Sequence, residues 1–414
     1  MIKYYIILSI TILLFDRDVP LTYTALTQNK VLLAMKSEEI DSALSPGTYY
    51  FSGNEAVAEG AIAAGCRYYA GYPITPSSEI MERISLRFKD VDGVFMQMED
   101  EIASICSVIG AVWAGAKAMT ATSGPGFSLM QEGIGYAAFT ETPLVIVTIQ
   151  RAGPGTGQAT RVGSGDLMQA KWGSHGDYQI IALSPWSVQE MYDQTIEAFN
   201  LAEQYRVPVF LMAEEAVGHL RERVDVGARV EVFNRVKEPG AAPFGTDKTD
   251  GIPPMPAFGE GEKLLVTGST HNEVGIRKTD DPGVHSRLVS RINNKVLNNR
   301  ETIIQSESYG LDDAEVVVVS YGFTARSALF AMDQLRGEGK KVGVLRLKTI
   351  WPFADGIIRQ IGATAKKIFA PEMNRGQMAG EIVKYATCEV IPYNQTDGEI
   401  IHPHQIMKEV RTLL

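Results

Sequence analysis

The strongest constraint on the fold of this chain is a regular alternation of short apolar segments with longer amphipathic ones. The segments between the apolar ones have helical length, and capping-box spacing opens two of them, at Ser52 with Glu55 and at Ser187 with Glu190. Strands that alternate with helices form a mainly parallel sheet covered on both faces. The sequence therefore predicts an α/β fold with a doubly wound parallel sheet over residues 52–225. Six apolar segments have the length of strands: 67–70, 94–98, 118–122, 144–150, 179–183 and 207–213.

A second, shorter alternation of the same kind runs from residue 304 to the C-terminus. We therefore expect a smaller α/β domain over 304–414. The residues between the two regions, 226–303, contain a Gly- and Pro-rich stretch at 240–261 and are predicted to be a linker or an insertion. The predicted strands of the second region are 316–320, 342–347 and 367–370, and its predicted helices include 377–386 and 405–413.

The first 34 residues do not share this pattern. Residues 4–15 are almost wholly apolar, but a helix of that length is too short to cross about 30 Å of hydrocarbon. No clear small-residue cleavage site follows, so the support for a signal or anchor segment is weak. An over-long start is the alternative, with true initiation near Met35. Residues 1–34 are therefore left unassigned.

Composition excludes several classes of function. The chain has 39 basic and 49 acidic residues and a net charge of −10, which disfavours binding to nucleic acid. Its three cysteines include no C-x-x-C pair, as expected of a cytoplasmic protein without a disulfide framework. Because a [4Fe–4S] cluster normally needs four thiolates, this chain cannot hold one in the usual way. Its six histidines show no metal-ligand spacing, so we predict no metal site.

Most of the informative segments follow predicted strands, at the sheet edge where open parallel sheets bind ligands. In the fourth of them, Arg151 offers a planar fork that suits a carboxylate, although a salt bridge to a neighbouring loop is the alternative. In the second, Glu99 would face the crevice, although acids at a helix N-terminus are also favoured by the helix dipole. The segments are YPITPSSE (72–79), QMEDE (97–101), TSGPGFSLM (122–130), QRAGPGTG (150–157) and PEMNRGQ (371–377).

Taken in this order, the five segments resemble the alpha subunit of 2-oxoacid:ferredoxin oxidoreductases from about Ser52 to the C-terminus. The resemblance implies that residues 52–225 form the pyrimidine-binding domain of a thiamine-diphosphate enzyme. It also implies that residues 304–414 form a domain like the C-terminal domain of transketolase. The first 34 residues match nothing in the family, which favours the over-long start.

The resemblance also implies roles for individual residues. Glu99 corresponds to the glutamate that bonds N1′ of the aminopyrimidine, and it is both the catalytic and the cofactor-binding residue. Thr75, Arg151 and Thr156 correspond to substrate-binding residues, with Arg151 pairing with the 2-oxoacid carboxylate. The family's GPSTG reads GPGTG here: Gly155 replaces the serine, so the family's loop geometry is not implied in detail, whereas Thr156 is retained.

Partners follow from what the chain lacks. It has no G-D-G followed by the asparagine of a Mg-diphosphate site, so the resemblance places Mg²⁺ and the diphosphate on a beta subunit. Separate gamma and ferredoxin-like delta subunits are implied, the latter with the [4Fe–4S] clusters. The chain should therefore be inactive alone, and no membrane association is expected of its core.

The implied reaction is oxidative decarboxylation of a 2-oxoacid with CoA to acyl-CoA, CO₂ and reduced ferredoxin. Motif details favour 2-oxoglutarate, which gives succinyl-CoA, and Arg161 is the candidate partner of its second carboxylate. Oxidation of pyruvate or a branched-chain 2-oxoacid is the alternative within the family. A non-catalytic assembly partner and a non-redox thiamine-dependent enzyme share the same fold and remain open.

Overall fold

The computed structural model describes residues 37–414, so the predictions for residues 1–34 lie outside the described range. Residues 39–414 form one unit whose two large β-sheets have eight and five strands, and a separate antiparallel pair joins β2 and β10. The strands are β1 (Ser37–Asp41), β2 (Gly47–Ser52), β3 (Tyr68–Gly71), β4 (Val94–Gln97), β5 (Ala118–Thr122), β6 (Val145–Ala152), β7 (Gln158–Val162), β8 (Ile181–Leu183), β9 (Val209–Glu214), β10 (Arg221–Val226), β11 (Arg229–Phe233), β12 (Ser306–Tyr309), β13 (Val316–Ser320), β14 (Val342–Leu347), β15 (Thr349–Trp351), β16 (Lys367–Glu372) and β17 (Glu389–Asn394).

The helices alternate with these strands as the sequence pattern predicts. They are α1 (Gly53–Ala63), α2 (Ser78–Arg87), α3 (Glu101–Trp113), α4 (Gly124–Leu129), α5 (Gln131–Phe139), α6 (Leu167–Trp172), α7 (Val188–Tyr205), α8 (Glu215–His219), α9 (Pro282–Leu297), α10 (Arg300–Ile303), α11 (Gly322–Gly337), α12 (Asp355–Thr364), α13 (Gln377–Val383) and α14 (Pro403–Leu413).

The larger sheet has the strand order β15-β8-β9-β6-β5-β3-β4, with β7 paired to β6. Strands β4, β3, β5, β6, β9 and β8 are mutually parallel, whereas β15 and β7 run antiparallel to their neighbours. Alternate side chains of β6 enter different cores: Ile146 packs in one, and Val145 and Val147 pack in the other. Apolar residues thus cover both faces of the sheet, and the predicted doubly wound parallel sheet is confirmed.

The smaller sheet has the order β12-β14-β13-β16-β17 and is parallel except for β12. It is joined to the larger sheet in two ways. Strand β15, which directly follows β14 in the chain, pairs with β8 of the larger sheet. Arg346 of β14 is fully buried and bonds both Glu190 of α7 and, at 2.9 Å, Glu307 of β12. A buried guanidinium needs such carboxylate partners, so this contact ties α7 to the smaller sheet.

A predicted helix cap is confirmed where the capping contacts are made by neighbouring residues in the sequence. Ser52 and Glu55 form the predicted capping box of α1. Thr75 followed by Pro76 has the sequence of an N-cap and a first helical residue, but this prediction is wrong, because α2 begins at Ser78 after Ser77. The pattern of residues 127–139 predicts one helix, whereas the structure has two, α4 and α5, which meet at Met130.

The predicted capping box of α7 is only half present. Ser187 accepts a hydrogen bond from the backbone N–H of Glu190, as predicted. The Glu190 carboxylate instead accepts from the backbone N–H of Trp186 and binds Arg346. A tertiary ion pair therefore replaces the local contact.

The region predicted as a linker or insertion, 226–303, contains β11, α9 and α10 and packs against the larger sheet. Buried Arg206, which ends α7, donates hydrogen bonds to three backbone carbonyls of the Gly- and Pro-rich stretch, those of Pro243, Pro253 and Pro254. These contacts satisfy backbone oxygens that would otherwise be buried without partners. The stretch is thus an ordered part of the structure, and the predicted domain boundaries remain a prediction.

A buried ion cluster fastens helix α9 to the same region. Glu141 follows α5 and is fully buried, where it binds Lys295 at 2.7 Å and Arg291 at 2.6 Å. Burial opposes ionisation of Glu141, but Lys295 and Arg291 outweigh it and hold its pKa below the usual range. Glu141 is therefore an anion that neutralises two cations of the insertion.

We expect Glu141→Ala to lower the free energy of unfolding by about 3–5 kcal/mol, because it strands buried cations without a counterion. The measurement is urea denaturation of the purified chain. Glu238→Ala is the matched control, since Glu238 and its partner Lys248 are 44% and 45% exposed. We expect Glu238→Ala to lower the free energy of unfolding by less than about 1 kcal/mol. Equal costs for the two variants would contradict the role given to the cluster.

Candidate active site

The carboxyl ends of the parallel strands meet at one edge of the larger sheet. Thr75 follows β3, Glu99 follows β4, Ser123 follows β5, and Arg151 is the last residue but one of β6. Neighbouring strands are roughly 4.8 Å apart, so segments that are distant in sequence become adjacent in space. Four of the five motif segments therefore lie side by side along this edge.

A cavity of about 480 Å³ opens at the same edge. Three motif segments line it: the TSGPGFSLM turn, the QRAGPGTG loop and the PEMNRGQ turn, the last more than 200 residues away in sequence. A fourth contribution comes from the segment 162–169, between β7 and α6. The charged side chains in the lining of this cavity are Arg151, Asp166 and Arg375.

The side chain of Arg151 is buried, with Arg151 7% exposed, and its guanidinium contacts a backbone carbonyl rather than a carboxylate. Its Nη1 donates to the carbonyl oxygen of Thr75 at 2.7 Å, and its Nε is buried without a hydrogen-bond partner. The predicted alternative, a salt bridge to a neighbouring loop, is wrong within the described residues, which give Arg151 no ion pair. A buried donor without a partner costs free energy unless a ligand satisfies it. Arg151 is thus arranged to receive an anion.

Asp166 lines the cavity and was not singled out by the sequence patterns. Its Oδ2 is buried and has no hydrogen-bond partner. Burial raises the pKa of Asp166 to about 6, against the lowering effect of Arg151. Its backbone N–H donates to the Gln150 side chain at 3.2 Å, which fixes the segment beside β6. The one local signal is its position directly before α6.

The PEMNRGQ turn is held against the cavity by a buried hydrogen-bond network. Glu372 accepts from the Tyr321 hydroxyl at 2.9 Å and from the backbone N–H of Met378 at 2.9 Å. Asn374 donates to the carbonyl oxygen of Ser164 at 2.8 Å, and its own oxygen accepts from the backbone N–H of Gly376. The smaller sheet therefore supplies one rigid wall of the cavity.

The remaining residues predicted from the resemblance are not in this lining. The side chains of Thr75, Glu99 and Thr156 are exposed in the chain, and Thr75 contacts Arg151 only through its carbonyl oxygen. Arg161, the candidate for a second carboxylate, is 55% exposed and binds Glu399 at 2.6 Å. The structure thus brings Thr75 and Arg151 together and leaves the others apart.

A buried carboxyl group lies next to the predicted Glu99. Glu101 is the first residue of α3, is 3% exposed, and sits beneath the TSGPGFSLM turn. A Cβ on Gly126 would lie 2.2 Å from both Glu101 Oε1 and Thr122 Oγ1, so only glycine leaves room for this carboxylate. Burial raises the pKa of Glu101. Thr122 and Ser123 also bury hydroxyl oxygens that have no hydrogen-bond partners.

Glu101 does not stand out in the sequence, because it is one of three consecutive acidic residues, 99–101. The usable signal is that Asp100 caps the helix through the backbone N–H of Ala103, which turns Glu101 toward the sheet. Residues 37–414 contain no cluster of three or more side chains suited to hold a metal ion, and none of their helices could span a membrane.

Comparison with known proteins identifies the family. Residues 59–291 match the family described as pyruvate flavodoxin/ferredoxin oxidoreductase, thiamine-diphosphate-binding, which is more than half of the chain. The chain belongs to the 2-oxoacid:ferredoxin oxidoreductases, as an alpha-type subunit. Residues 314–406 match core domain II of pyruvate:ferredoxin oxidoreductase. The family that the five segments predicted is thus confirmed.

Individual relatives of this oxidoreductase subunit cover most of its length. The 2-oxoglutarate synthase subunit KorA of Methanocaldococcus jannaschii is 51% identical over 366 residues, which is 87% of this chain and 98% of that protein. The ketoisovalerate oxidoreductase subunit VorB of Methanothermobacter marburgensis is 37% identical over 367 residues, or 88% of this chain and 98% of that protein.

Two solved structures match the fold of this oxidoreductase subunit. The 2-oxoglutarate:ferredoxin oxidoreductase of Magnetococcus marinus matches with a TM-score of 0.84 and 33% identity, over 88% of this chain and 65% of that one. A split-gene transketolase matches with a TM-score of 0.50 at 11% identity, over 87% of this chain and 95% of that one, and shows the fold alone.

Thiamine diphosphate, the cofactor named in the family description, fits the residues at this edge. An aminopyrimidine needs a carboxyl group beside a ring nitrogen and acceptors for its amino group. Glu101 provides a buried carboxyl, and the unpartnered hydroxyls of Thr122 and Ser123 lie at the same turn. The predictions that Mg²⁺ and iron–sulfur clusters belong to partner subunits remain predictions.

We expect Glu101→Gln to be more stable than the wild type, by a margin that grows with pH. Folding raises the pKa of Glu101, so its stabilising contribution is present below the unfolded pKa and is lost as pH rises through the folded pKa. Glutamine stays neutral throughout. The measurement is the Tm of the wild type and of the Glu101→Gln variant at about pH 5 and about pH 8. Exposed Glu99→Gln is the control and should leave Tm unchanged; a margin for Glu101→Gln that does not change with pH would refute the expectation.

Proposed function

We propose that this chain is the alpha subunit of a 2-oxoglutarate:ferredoxin oxidoreductase, which converts 2-oxoglutarate and CoA into succinyl-CoA and CO₂ and reduces ferredoxin. The observation that carries the proposal is buried Arg151, whose Nε has no partner, in a cavity at the carboxyl edge of the sheet. The 51% identity to a 2-oxoglutarate synthase subunit, against 37% to a ketoisovalerate oxidoreductase subunit, favours the dicarboxylic substrate.

Arg151 would bind the 2-oxoacid carboxylate. A guanidinium offers two parallel N–H donors to a carboxylate, and the buried setting strengthens that pair relative to one in water. The carbonyl oxygen of Thr75 holds the guanidinium in place, which gives Thr75 a positioning part. Side-chain contacts of Thr75 and Thr156 with substrate remain predictions from the resemblance.

When bound, thiamine diphosphate supplies the carbon nucleophile and the electron sink that decarboxylation requires. The protein must hold a proton between a carboxyl group and the ring nitrogen N1′. The resemblance assigns this to Glu99, but the geometry favours Glu101, because its buried carboxyl has a raised pKa whereas Glu99 is exposed. A shared proton is held more strongly where water is excluded.

A partner subunit would complete the site. The edge strand β4 exposes Val94 and Met96 by 50% and 42%, and Ile102 at the start of α3 is 49% exposed. Uncovered apolar side chains on an edge strand beside a catalytic carboxyl are suited to burial by another chain. We assign this contact to a beta subunit that carries Mg²⁺ and the diphosphate. Gamma and cluster-bearing delta subunits, and a cytoplasmic location, complete the proposal.

The test is to purify the native complex through this chain and assay it with CoA, thiamine diphosphate, Mg²⁺ and a viologen acceptor. We expect acceptor reduction with 2-oxoglutarate well above that with pyruvate or 2-oxoisovalerate, and a cluster-bearing partner in the complex. Preference for one of the other two acids would reassign the substrate. An intact complex that reduces the acceptor with none of them would favour an assembly or non-redox role.

A matched pair of variants distinguishes the roles of Glu99 and Glu101. In the complex, Glu101→Gln should lower kcat by about 100-fold or more, in the range of general acid–base contributions. Glu99→Gln should stay within about 3-fold of the wild type, because an exposed carboxyl contributes little. Exchange of the cofactor C2 proton, followed by NMR, should slow only in the Glu101 variant. The opposite pattern would return the role to Glu99.

Arg151→Ala should lower kcat/KM for 2-oxoglutarate by about 100-fold, since it removes a charged, desolvated hydrogen-bonding partner. Arg151→Lys should recover only part of this loss, because an ammonium lacks the fork. The kinetics are measured in the assembled complex, with CoA saturating. Unchanged kcat/KM in Arg151→Ala would remove Arg151 from the substrate site.

A further inference from the structure

The cavity holds one cation more than a monocarboxylate requires. Arg151 lies at the end of β6, and Arg375 lies in the PEMNRGQ turn, which lines the same cavity. Asp166 is the one acid in the lining; burial raises its pKa, and the positive charge of Arg151 acts in the opposite direction. The described residues give Arg375 no ion pair and no hydrogen bond, and its side chain is exposed. Its charge is therefore free to meet a second anionic group.

The backbone around Arg375 is held in place by hydrogen bonds, although the Arg375 side chain itself has no partner among the described residues. Asn374 accepts hydrogen bonds from the backbone N–H groups of Gly376 and Gln377, at 2.8 and 2.9 Å, and so closes the turn around Arg375. The Gln377 side chain in turn accepts from the backbone N–H of Met168, at 3.0 Å, in the segment that carries Asp166. An arginine on so rigid a turn loses less conformational freedom on binding a ligand than one on a mobile loop.

We propose that Arg375 is the specificity residue of this cavity and binds the distal carboxylate of a dicarboxylic 2-oxoacid, while Arg151 binds the carboxylate next to the ketone. The inference rests on the proposed function. It replaces the sequence-based candidate Arg161, which lies outside the lining and is paired with Glu399 at 2.6 Å. Two cations from different lining segments match the two charges of 2-oxoglutarate, whereas a monocarboxylate leaves Arg375 without a partner.

The test compares 2-oxoglutarate with 2-oxopentanoate, which has the same carbon chain without the distal carboxylate. In the assembled complex, Arg375→Met should lower kcat/KM for 2-oxoglutarate by about 10–100-fold, the worth of a charged hydrogen-bonded pair. The same variant should change kcat/KM for 2-oxopentanoate by less than about 3-fold, because this substrate has no distal carboxylate to pair with Arg375. If turnover of 2-oxopentanoate is too slow, its inhibition constant against 2-oxoglutarate takes the place of kcat/KM.

Two further variants make the result specific. Arg375→Lys keeps the charge and should retain part of the selectivity for 2-oxoglutarate. Arg161→Met removes a surface charge outside the cavity and should leave the ratio of the two kcat/KM values at its wild-type level. A rise in KM for CoA with an unchanged substrate ratio would overturn the inference and assign Arg375 to a CoA phosphate. Unchanged constants for all substrates would overturn it as well. A wild-type complex inactive with 2-oxoglutarate would instead refute the proposed function, which separates the two failures.

Discussion

The parallel hydrogen bonding of β4, β3, β5, β6 and β9 is the constraint on which the rest of the structure depends. Parallel strands run in one direction, so every loop that follows a strand emerges at the same edge. That edge gathers the segments of Glu101, Ser123 and Arg151 within a few strand spacings. Both faces of the sheet are occupied by apolar cores, which leaves this edge as the place where polar side chains can converge.

The convergence leaves polar groups that the fold does not satisfy. Arg151 Nε, Asp166 Oδ2 and the Thr122 hydroxyl are buried without hydrogen-bond partners. Burial also raises the pKa of Glu101 and of Asp166, which means that their charged forms are disfavoured. By contrast, the buried carboxylate of Glu141 is paired with Arg291 and Lys295. The unsatisfied groups at this edge reduce stability there, and a ligand with complementary groups would recover that free energy.

The smaller sheet is part of this site rather than an appendage. Its PEMNRGQ turn forms one wall of the cavity, and Glu372 and Asn374 hold that wall through buried hydrogen bonds. Arg346 and strand β15 bind the smaller sheet to the larger one, so the separation between this turn and Arg151 is set by packed structure. Recognition of a substrate with two charged ends needs such a separation, because each carboxylate must meet its own cation.

The sequence by itself determined most of the elements and the family. Strands β5 and β13 were predicted with their observed bounds, and Arg151 was predicted to bind an anion, because periodicity and turn composition are local properties. Only the tertiary structure placed Glu101 beneath Gly126, and brought Asp166 and Arg375 into the cavity of Arg151. These relations join residues that can be more than 200 positions apart, and burial and pairing at such separations arise from packing, which no local pattern encodes.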